Sequence, residues 1–276
     1  MENKRDSRGN SLQQKLKGVI MQNLDLSKFW FYRLSVEGWL AHFRQPTTVS
    51  SRLTFILPPK STAIGMLLAK VGLYKRIDKN ILLFKSKKLR ELFDNTFIAI
   101  SLKRGIVKYT DYLNYISKKI ERKPTILEYL INPSYEIIYF LPKDDTILGE
   151  KNKDIIINNE IFKVYLGYNE CPATINLSEE INSNQINFSN RQDITTDFIL
   201  PLDVVDSSSI DRSKLTSELL RSSILISTAQ NMKKVEDTMK EKEVLVPLRK
   251  MEFRLNNNIP VFEIKLNGNI NQFLVI

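Results

Sequence analysis

The chain has 276 residues, of which 42% are hydrophobic and 26% are charged, the balance of a folded globular protein. It carries a formal net charge of +10 and contains one His and one Cys. A single cysteine excludes an internal disulfide framework, and one His with one Cys supplies too few ligands for a zinc or copper site. We therefore expect no metal and no cofactor. No apolar run is long enough for a membrane span or a secretory signal, so we expect a cytoplasmic protein without a membrane partner.

The first elements predicted along the chain are a tail, a strand and a helix. Residues 1–24 are polar and have no sustained period, which predicts a flexible basic tail. Leu34 and Val36 alternate with polar residues, which is the period of a strand. Four apolar residues at helical spacing predict a helix between Lys60 and Gly72. These four residues are Ile64, Leu67, Leu68 and Val71.

Three further strands are predicted before residue 180, because short runs there are rich in β-branched and aromatic residues. The runs are 96–102, 135–140 and 161–166. Together with the first strand and helix, they favour a ferredoxin-like or RRM-like RNA-binding domain over residues 25–180. That fold requires a second helix, which the sequence does not support between residues 141 and 161. Residues 103–132 fall between two of the strands and are predicted to form an insert.

The remaining residues, 181–276, are predicted to form a smaller accessory domain with a helix and an antiparallel β-meander. Residues 207–242, where charges of both signs are mixed, are expected to be helical. Turns are expected at Asn256–Asn258 and at Asn267-Gly268, since Asn-Gly between apolar alternations is a strong hairpin pattern. The fold class expected for the whole chain is therefore α+β.

The positive charge of the chain is concentrated in one segment. Between Lys75 and Lys123 there are fourteen Lys and Arg residues against five acids, an excess of nine. A focused positive field attracts polyanions, and nucleic acid is the commonest polyanion in the cytosol. The alternative is a solvated face of a basic protein. The concentration of charge favours a binding surface over that alternative.

The insert has the composition of a surface that binds single-stranded RNA. Its candidate RNA-binding residues are Lys103, Arg104, Lys108, Tyr109 and Tyr112. Cations hold phosphates, and flat rings stack on unpaired bases with about 1–3 kcal/mol per base. The alternative for the tyrosines is a helical pair, in which Tyr112 and Tyr115 lie three residues apart and cover a core.

A second candidate site lies between Gly38 and Gly72. Its candidate RNA-binding residues are His42, Phe43, Arg44, Lys60 and Ser61. Phe43 is suited to stacking on a base, and Arg44 is suited to holding a phosphate. Free N–H groups and the helix dipole at Lys60 and Ser61 favour an anion. The alternative is that Phe43 belongs to the core and that Ser61 or Thr62 only caps the helix.

These stretches resemble the CRISPR-associated protein 5 family. The resemblance rests first on Ala41-His42-Phe43-Arg44, on the segment from Leu53 to Thr62, and on the helix that ends at Gly72-Leu73. A second patch, Tyr-Leu-Gly-Tyr-Asn-Glu-Cys-Pro-Ala over residues 165–173, resembles the strand and turn that close the N-terminal domain of that family. The resemblance covers roughly residues 29–175.

The resemblance implies a subunit of a type I Cascade surveillance complex in antiviral defence, with an RRM-like (RAMP) domain. It implies that this domain holds the 5′ handle of the CRISPR RNA. An inserted thumb would contact the RNA and the repeated backbone subunit, and a large subunit would dock beside it. Target DNA would be read through the guide RNA and only indirectly by this chain.

We expect a non-catalytic RNA-binding subunit, although one enzymatic alternative stays open. Some members of the family process the CRISPR RNA precursor as metal-independent endoribonucleases. That chemistry requires a general base near a 2′-hydroxyl. His42 is the only histidine, so it is the candidate for that role.

Overall fold

The computed structural model describes residues 25–45, 51–72, 87–116, 122–144, 160–210, 213, 218–227, 239–266 and 269–276. The described residues form mostly antiparallel sheet with few helices. The helices are α1 (Lys60–Lys70) and α2 (Lys87–Asn95). The strands of the first half are β1 (Phe29–Gly38), β2 (Leu40–Ala41), β3 (Phe43–Arg44), β4 (Ser51–Arg52), β5 (Thr54–Phe55), β6 (Phe97–Leu102), β7 (Val107–Ile116), β8 (Arg122–Ile131) and β9 (Ser134–Pro142). Those of the second half are β10 (Val164–Tyr165), β11 (Pro172–Ile181), β12 (Ile186–Thr196), β13 (Leu200–Pro201), β14 (Leu219–Ser227), β15 (Met239–Pro247), β16 (Met251–Leu266) and β17 (Asn269–Phe273).

The largest sheet has the strand order β10-β11-β1-β9-β6, and every neighbouring pair in it is antiparallel. Strand β9 lies between β1 and β6, and all its residues except Pro142 are buried. Helix α1 packs on this sheet, since the hydroxyl of Tyr139 on β9 donates a hydrogen bond to the carbonyl of Ala63 on α1. The predicted helix is confirmed together with its apolar face, and Gly72 follows it with a positive φ of 73°.

The predicted insert is a long β-hairpin. Strands β7 and β8 pair antiparallel over ten residues each, and they lie in the chain between β6 and β9, which pair with each other. Strand β8 also pairs with β2 and, in parallel, with β4, so β7 is the edge strand. Valine, threonine and tyrosine suit a half-exposed strand. The alternative of a helical pair formed by Tyr112 and Tyr115 is therefore wrong, because both lie on β7.

Two predictions for the C-terminal region are wrong. The described part of 207–242 contains no α-helix; it forms a short 3-10 turn (Ser207–Ser209) and strands β14 and β15, which pair with each other. A local charge pattern predicted the helix, but this long-range pairing outweighs it. Asn256–Asn258 is not a turn, because β16 continues through it opposite a register shift at Arg191–Asp193. The side chain of Asn256 donates to the carbonyls of Asp203 and Val205, which holds the extra residues as a bulge.

The C-terminal strands share hydrophobic cores with the first sheet. Ile224 and Val244 belong to the same buried cluster as the apolar face of α1. On the other side of the sheet, Phe140 of β9 packs edge-on against Phe262 and Phe273. The first sheet is therefore covered on both faces by residues that follow position 180 in the chain.

Some predictions fall on residues outside those described. They concern the tail (1–24), most of the basic run after Gly72 (73–86), the doubtful helix region (145–159) and the Asn267-Gly268 turn. Among the described residues, no helix is both long and apolar enough to cross a membrane.

Candidate nucleic-acid interface

Two segments that are far apart in the chain meet at His42, which lies between β2 and β3. The backbone N–H of His42 donates to the carbonyl of Leu166 at 2.9 Å, and the imidazole ring packs 4.3 Å from the ring of Tyr168. The ring also meets Tyr129 of β8 edge-on, with 5.8 Å between centroids. We call His42, Glu128, Tyr129, Gly167 and Tyr168 the His42 junction. It joins the first strands, the hairpin and the turn before β11.

Gly167 allows this close approach. Its φ is +96°, in the left-handed region that favours glycine. A Cβ atom placed on Gly167 would lie 1.8 Å from the carbonyl oxygen of His42. The turn and the His42 strand therefore contact each other backbone to backbone, which a larger residue at position 167 prevents.

The imidazole of His42 is held as one neutral tautomer. Its Nδ1 lies 2.6 Å from the carbonyl oxygen of Glu128, and because a carbonyl only accepts, Nδ1 carries the proton. Burial lowers the pKa of His42 below its usual value, and the nearby positive charges of Arg52 and Arg44 lower it further. The ring is therefore neutral at physiological pH. Its Nε2 atom is buried and has no hydrogen-bond partner among the described residues, and the residue is 1% exposed.

Glu128 connects three elements of the site. Its carbonyl accepts from His42, while its carboxylate accepts from the backbone N–H of Thr54 on β5 at 3.2 Å and from Nζ of Lys108 on β7 at 3.3 Å. Thr54 in turn pairs with Arg44, since β3 and β5 are neighbours. One glutamate thus links Lys108 of the hairpin to the strand that carries Arg44.

Arg44 lies at the surface beside this junction. It is exposed, and the field of Arg44 and that of half-buried Arg52 both reach the His42 ring. Lys108, which contacts the Glu128 carboxylate, is a third cation beside the His42 junction. Such an arrangement attracts an anion with more than one charge, such as an RNA backbone.

The hairpin offers two exposed rings. Tyr109 is 50% exposed and Tyr112 is 78% exposed. Because they are three residues apart on one strand, their side chains point to opposite faces of the hairpin. Tyr109 lies opposite Tyr129 of the His42 junction, so the Tyr109 face continues into that junction. Tyr112 lies on the same face as Lys108.

Lys103 and Arg104 differ although they are adjacent. The amino group of Lys103 lies 2.7 Å from a carboxylate oxygen of Asp197 and 3.4 Å from one of Glu136, and it sits over the ring of Phe198. Its charge is thus largely compensated within the chain. Arg104 is exposed and has no ion pair with the described residues. Of the two, Arg104 is the better placed for a phosphate.

The other predicted residues are largely internal. Phe43 is buried in the main core, 6.1 Å from the ring of Tyr135, which favours the core alternative over base stacking. Lys60 is buried, with its amino group 5.6 Å over the ring of Phe97, and Ser61 is half-buried. Neither Ser61 nor Thr62 caps the helix, because the N-cap residue is Pro59, and this cap has no side-chain hydrogen bond.

The structure adds residues that the sequence did not select as site residues. These are Arg52, Glu128, Tyr129 and Tyr168. Tyr168 stands in the second patch of the family resemblance, but nothing in the sequence pairs it with His42. Tyr129 and Glu128 become neighbours of His42 only through the pairing of β8. Among the described residues, no group of three His, Cys, Asp or Glu side chains is arranged to hold a metal ion.

Comparison with models of protein families gives a match over most of the chain. The family model described as CRISPR-associated protein (Cas_Cas5) matches residues 31–209, well over half of the chain. This range includes the hairpin and the whole His42 junction. No curated protein matches the sequence.

Solved structures give weaker similarities. A chain of a CRISPR RNA-guided surveillance complex is 13% identical, over 81% of this chain and 91% of that one, with a TM-score of 0.43. The crystal structure of a Cas protein is 13% identical, over 83% and 95%, with a TM-score of 0.38. A chain of the Type III-B Cmr-beta complex bound to cognate target RNA and AMPPnP is 12% identical, over 80% and 86%, with a TM-score of 0.36. These similarities carry no argument of their own, and the assignment to a family rests on the sequence match.

Proposed function

Because the chain belongs to the CRISPR-associated protein (Cas_Cas5) family, we propose that it is a non-catalytic, RNA-binding subunit of a type I Cascade surveillance complex. It binds the 5′ handle of the CRISPR RNA and contacts the repeated backbone subunit and the large subunit. The site consists of Arg44, Arg104 and Lys108 with the exposed rings of Tyr109 and Tyr112. The observation that carries the proposal is the joining of Arg44 and Lys108 through Thr54 and Glu128 at the His42 junction.

The proposal includes a ferredoxin-like domain with an inserted thumb. Its support is the strand order β11-β1-β9-β6 with antiparallel neighbours, which is the order of the four strands in a β-α-β-β-α-β unit. The crossover after β1 contains α1, as that unit requires. The hairpin β7–β8 stands where the thumb is expected, between the second and third strands of the unit.

The charge and rings of the hairpin support RNA as the ligand. Exposed tyrosines on a solvated edge strand contribute little to stability, yet their faces suit unpaired bases. The cations beside them supply the phosphate contacts that fix a single strand in register. Ring stacking and phosphate contacts together are the requirement for single-stranded RNA.

The first test is to purify the chain with the proteins encoded beside it and to sequence the RNA that accompanies it. We expect short RNAs that share one 5′ end, retained together with a repeated backbone subunit. RNAs without a common end, or no RNA, would contradict the proposal.

A second test separates the cations of the site. Replacing Arg44 or Lys108 by Ala is expected to weaken RNA binding and to flatten the dependence of log K on log salt by about 0.7 for each lost phosphate contact. Arg249→Ala, which removes a cation of the C-terminal region paired with Glu218, is the charge-matched control and should leave the slope unchanged.

The state of His42 supports binding over catalysis. A general base must reach a substrate hydroxyl through an unprotonated nitrogen, which here is Nε2. That atom is buried in a ring that packs against Tyr129 and Tyr168, while Nδ1–H is occupied by the carbonyl of Glu128. We expect no cleavage of CRISPR RNA precursor by the purified chain in the presence of a metal chelator. Cleavage that His42→Gln abolishes, with RNA binding retained, would favour the endoribonuclease instead.

A further inference from the structure

We propose that Glu128 tunes the affinity of the RNA site by holding Lys108, so that an RNA phosphate must displace this carboxylate before Lys108 can contact it. This inference rests on the proposed function, and it identifies an internal competitor within the same site. Glu128 is a positioning residue in this scheme, because it acts on RNA through Lys108.

The geometry places the Glu128 carboxylate in direct competition with a ligand for Lys108. Nζ of Lys108 lies 3.3 Å from a carboxylate oxygen of Glu128, with the lysine side chain 41% exposed and the glutamate 18% exposed. The lysine can therefore turn outward to solvent, but the carboxylate is confined. Lys108 is also the cation that shares a hairpin face with the exposed Tyr112.

Glu128 is confined because two other contacts fix it. The same carboxylate oxygen that meets Lys108 accepts from the backbone N–H of Thr54, and the Glu128 carbonyl accepts from Nδ1 of His42. When Lys108 leaves for a phosphate, the carboxylate keeps its bond to Thr54 and stays behind, close to the incoming anion. Binding therefore includes the cost of breaking one ion pair and of placing a phosphate near a fixed negative charge.

This arrangement favours anions that bring further contacts. A polyanion that meets only Lys108 exchanges one ion pair for another and gains little. A strand that also reaches Arg44 and stacks on a ring gains contacts that Glu128 does not oppose. The carboxylate thus lowers the affinity of every polyanion that uses Lys108, so tight binding depends on the additional contacts at Arg44 and the exposed ring.

The direct test is Glu128→Gln in the full-length chain. Glutamine keeps the backbone carbonyl for His42 and an amide oxygen for the N–H of Thr54, but it removes the charge that holds Lys108. The probe is a fluorescein-labelled RNA of the CRISPR repeat encoded beside the protein, with a scrambled RNA of equal length. We expect the affinity for both RNAs to rise by about two- to fivefold, because both must displace the carboxylate to contact Lys108.

Two controls isolate the route through Lys108. Glu218→Gln removes one negative charge, paired with Arg249 at 2.6 Å and 27% exposed, in the C-terminal region. It changes net charge by the same amount and is expected to leave binding within error of the wild type. In a Lys108→Ala background, Glu128→Gln should raise affinity by less than in the wild type, because the ion pair that it breaks is gone and only the repulsion of a nearby phosphate is relieved.

The outcomes separate this inference from the proposed function. If Lys108→Ala weakens repeat RNA binding while Glu128→Gln has no effect or weakens it too, the site stands and the competition is overturned. If Lys108→Ala leaves binding unchanged, the proposed RNA site itself is overturned. Thermal melting checks that each variant folds. Should Glu128→Gln fold poorly, Glu128→Asp, whose shorter side chain withdraws the charge from Lys108, is expected to raise affinity in the same direction.

Discussion

Strands β9 and β7 both contain tyrosines, but they use them in opposite ways. On β9, Tyr135 and Tyr139 are fully buried, and their hydroxyls donate to the backbone carbonyls of Ile56 and Ala63. Burial raises the pKa of both phenols far above the ordinary value, so these groups stay neutral. On β7, Tyr109 and Tyr112 project into solvent.

The position in the sheet explains the difference. Strand β9 has neighbours on both sides and is covered on both faces, whereas β7 is an edge strand with one neighbour. The ring of a tyrosine on a central strand packs in the core, and its hydroxyl must find a hydrogen-bond partner inside the protein. A tyrosine at the edge keeps its ring faces free for a ligand. The comparison teaches that the count of aromatic residues says little about binding until the sheet order is known.

The largest expected effect tests the central strand. Tyr139→Ala removes a fully buried ring and its bond to Ala63, and should lower the free energy of unfolding by about 3–5 kcal/mol. The matched variant is Tyr112→Ala, the same substitution on the edge strand, which should change it by less than about 0.5 kcal/mol. Urea denaturation measures both, and equal losses would contradict the contrast between the two strands.

The second effect tests the turn that joins both regions. Gly167→Ala forces a left-handed conformation on a residue with a Cβ and sets that atom against the carbonyl of His42. We expect the free energy of unfolding to fall by about 1–3 kcal/mol. RNA binding should also weaken, because the strand that carries Arg44 shifts.

The matched glycine is Gly105, where an added Cβ meets nothing within 4 Å. Gly105→Ala should leave stability within about 0.5 kcal/mol of the wild type. If both glycine variants behave alike, the close contact at His42 is not a determinant of the fold.

The sequence predicted those elements that local periodicity determines. The apolar stripe of α1, the alternation in β1 and the run of β9 each indicate their own structure, and the insert is recognisable because it separates two strands. The strands at β14 and β15 were not predicted, since charged residues of both signs favour a helix locally, while the pairing that forms the strands is long-range. Propensity is a weak guide where tertiary pairing decides.

The residue types of the candidate site were predictable from the sequence, but which of those residues are exposed was not. Lys103 has the same local context as Arg104, yet its partner Asp197 lies 94 residues away, so no pattern near Lys103 reveals that its charge is compensated. The same holds for Phe43, whose burial depends on Tyr135. Arg104, just before β7, and Lys108, on this edge strand, remain exposed. Residue type thus identifies candidates, and the strand order separates structural residues from exposed ones.

The third effect tests the exposed rings as RNA contacts. Tyr112→Ala should weaken repeat RNA binding by about 1–3 kcal/mol while leaving the melting temperature nearly unchanged, since a residue that is 78% exposed contributes little to packing. Ile270→Ala is the control, because Ile270 is another exposed apolar residue, on β17 of the C-terminal sheet. Fluorescence anisotropy measures both, and similar affinities for the two variants would remove Tyr112 from the site.

The smallest expected effect is a pH dependence that arises at His42. Its pKa in the folded chain lies below the ordinary value of 6.5 because the ring is buried and Arg52 and Arg44 repel a positive charge, which the hydrogen bond to Glu128 only partly offsets. The unfolded chain therefore binds more protons as the pH falls through 6.5, and stability must decrease. The loss is at most about 1.4 kcal/mol per pH unit, and it stops below the folded pKa.

Carboxylates also titrate at low pH, so the prediction concerns a difference between two proteins. His42→Gln keeps a hydrogen-bond donor near the Glu128 carbonyl but does not titrate. The free energy of unfolding, measured in urea between about pH 7 and pH 5, should fall more steeply for the wild type than for this variant. Parallel curves would mean that His42 becomes protonated in the folded state as easily as in the unfolded chain. The His42 junction would then be open to water. The His42 ring would resemble the exposed tyrosines of β7 more than the buried tyrosines of β9.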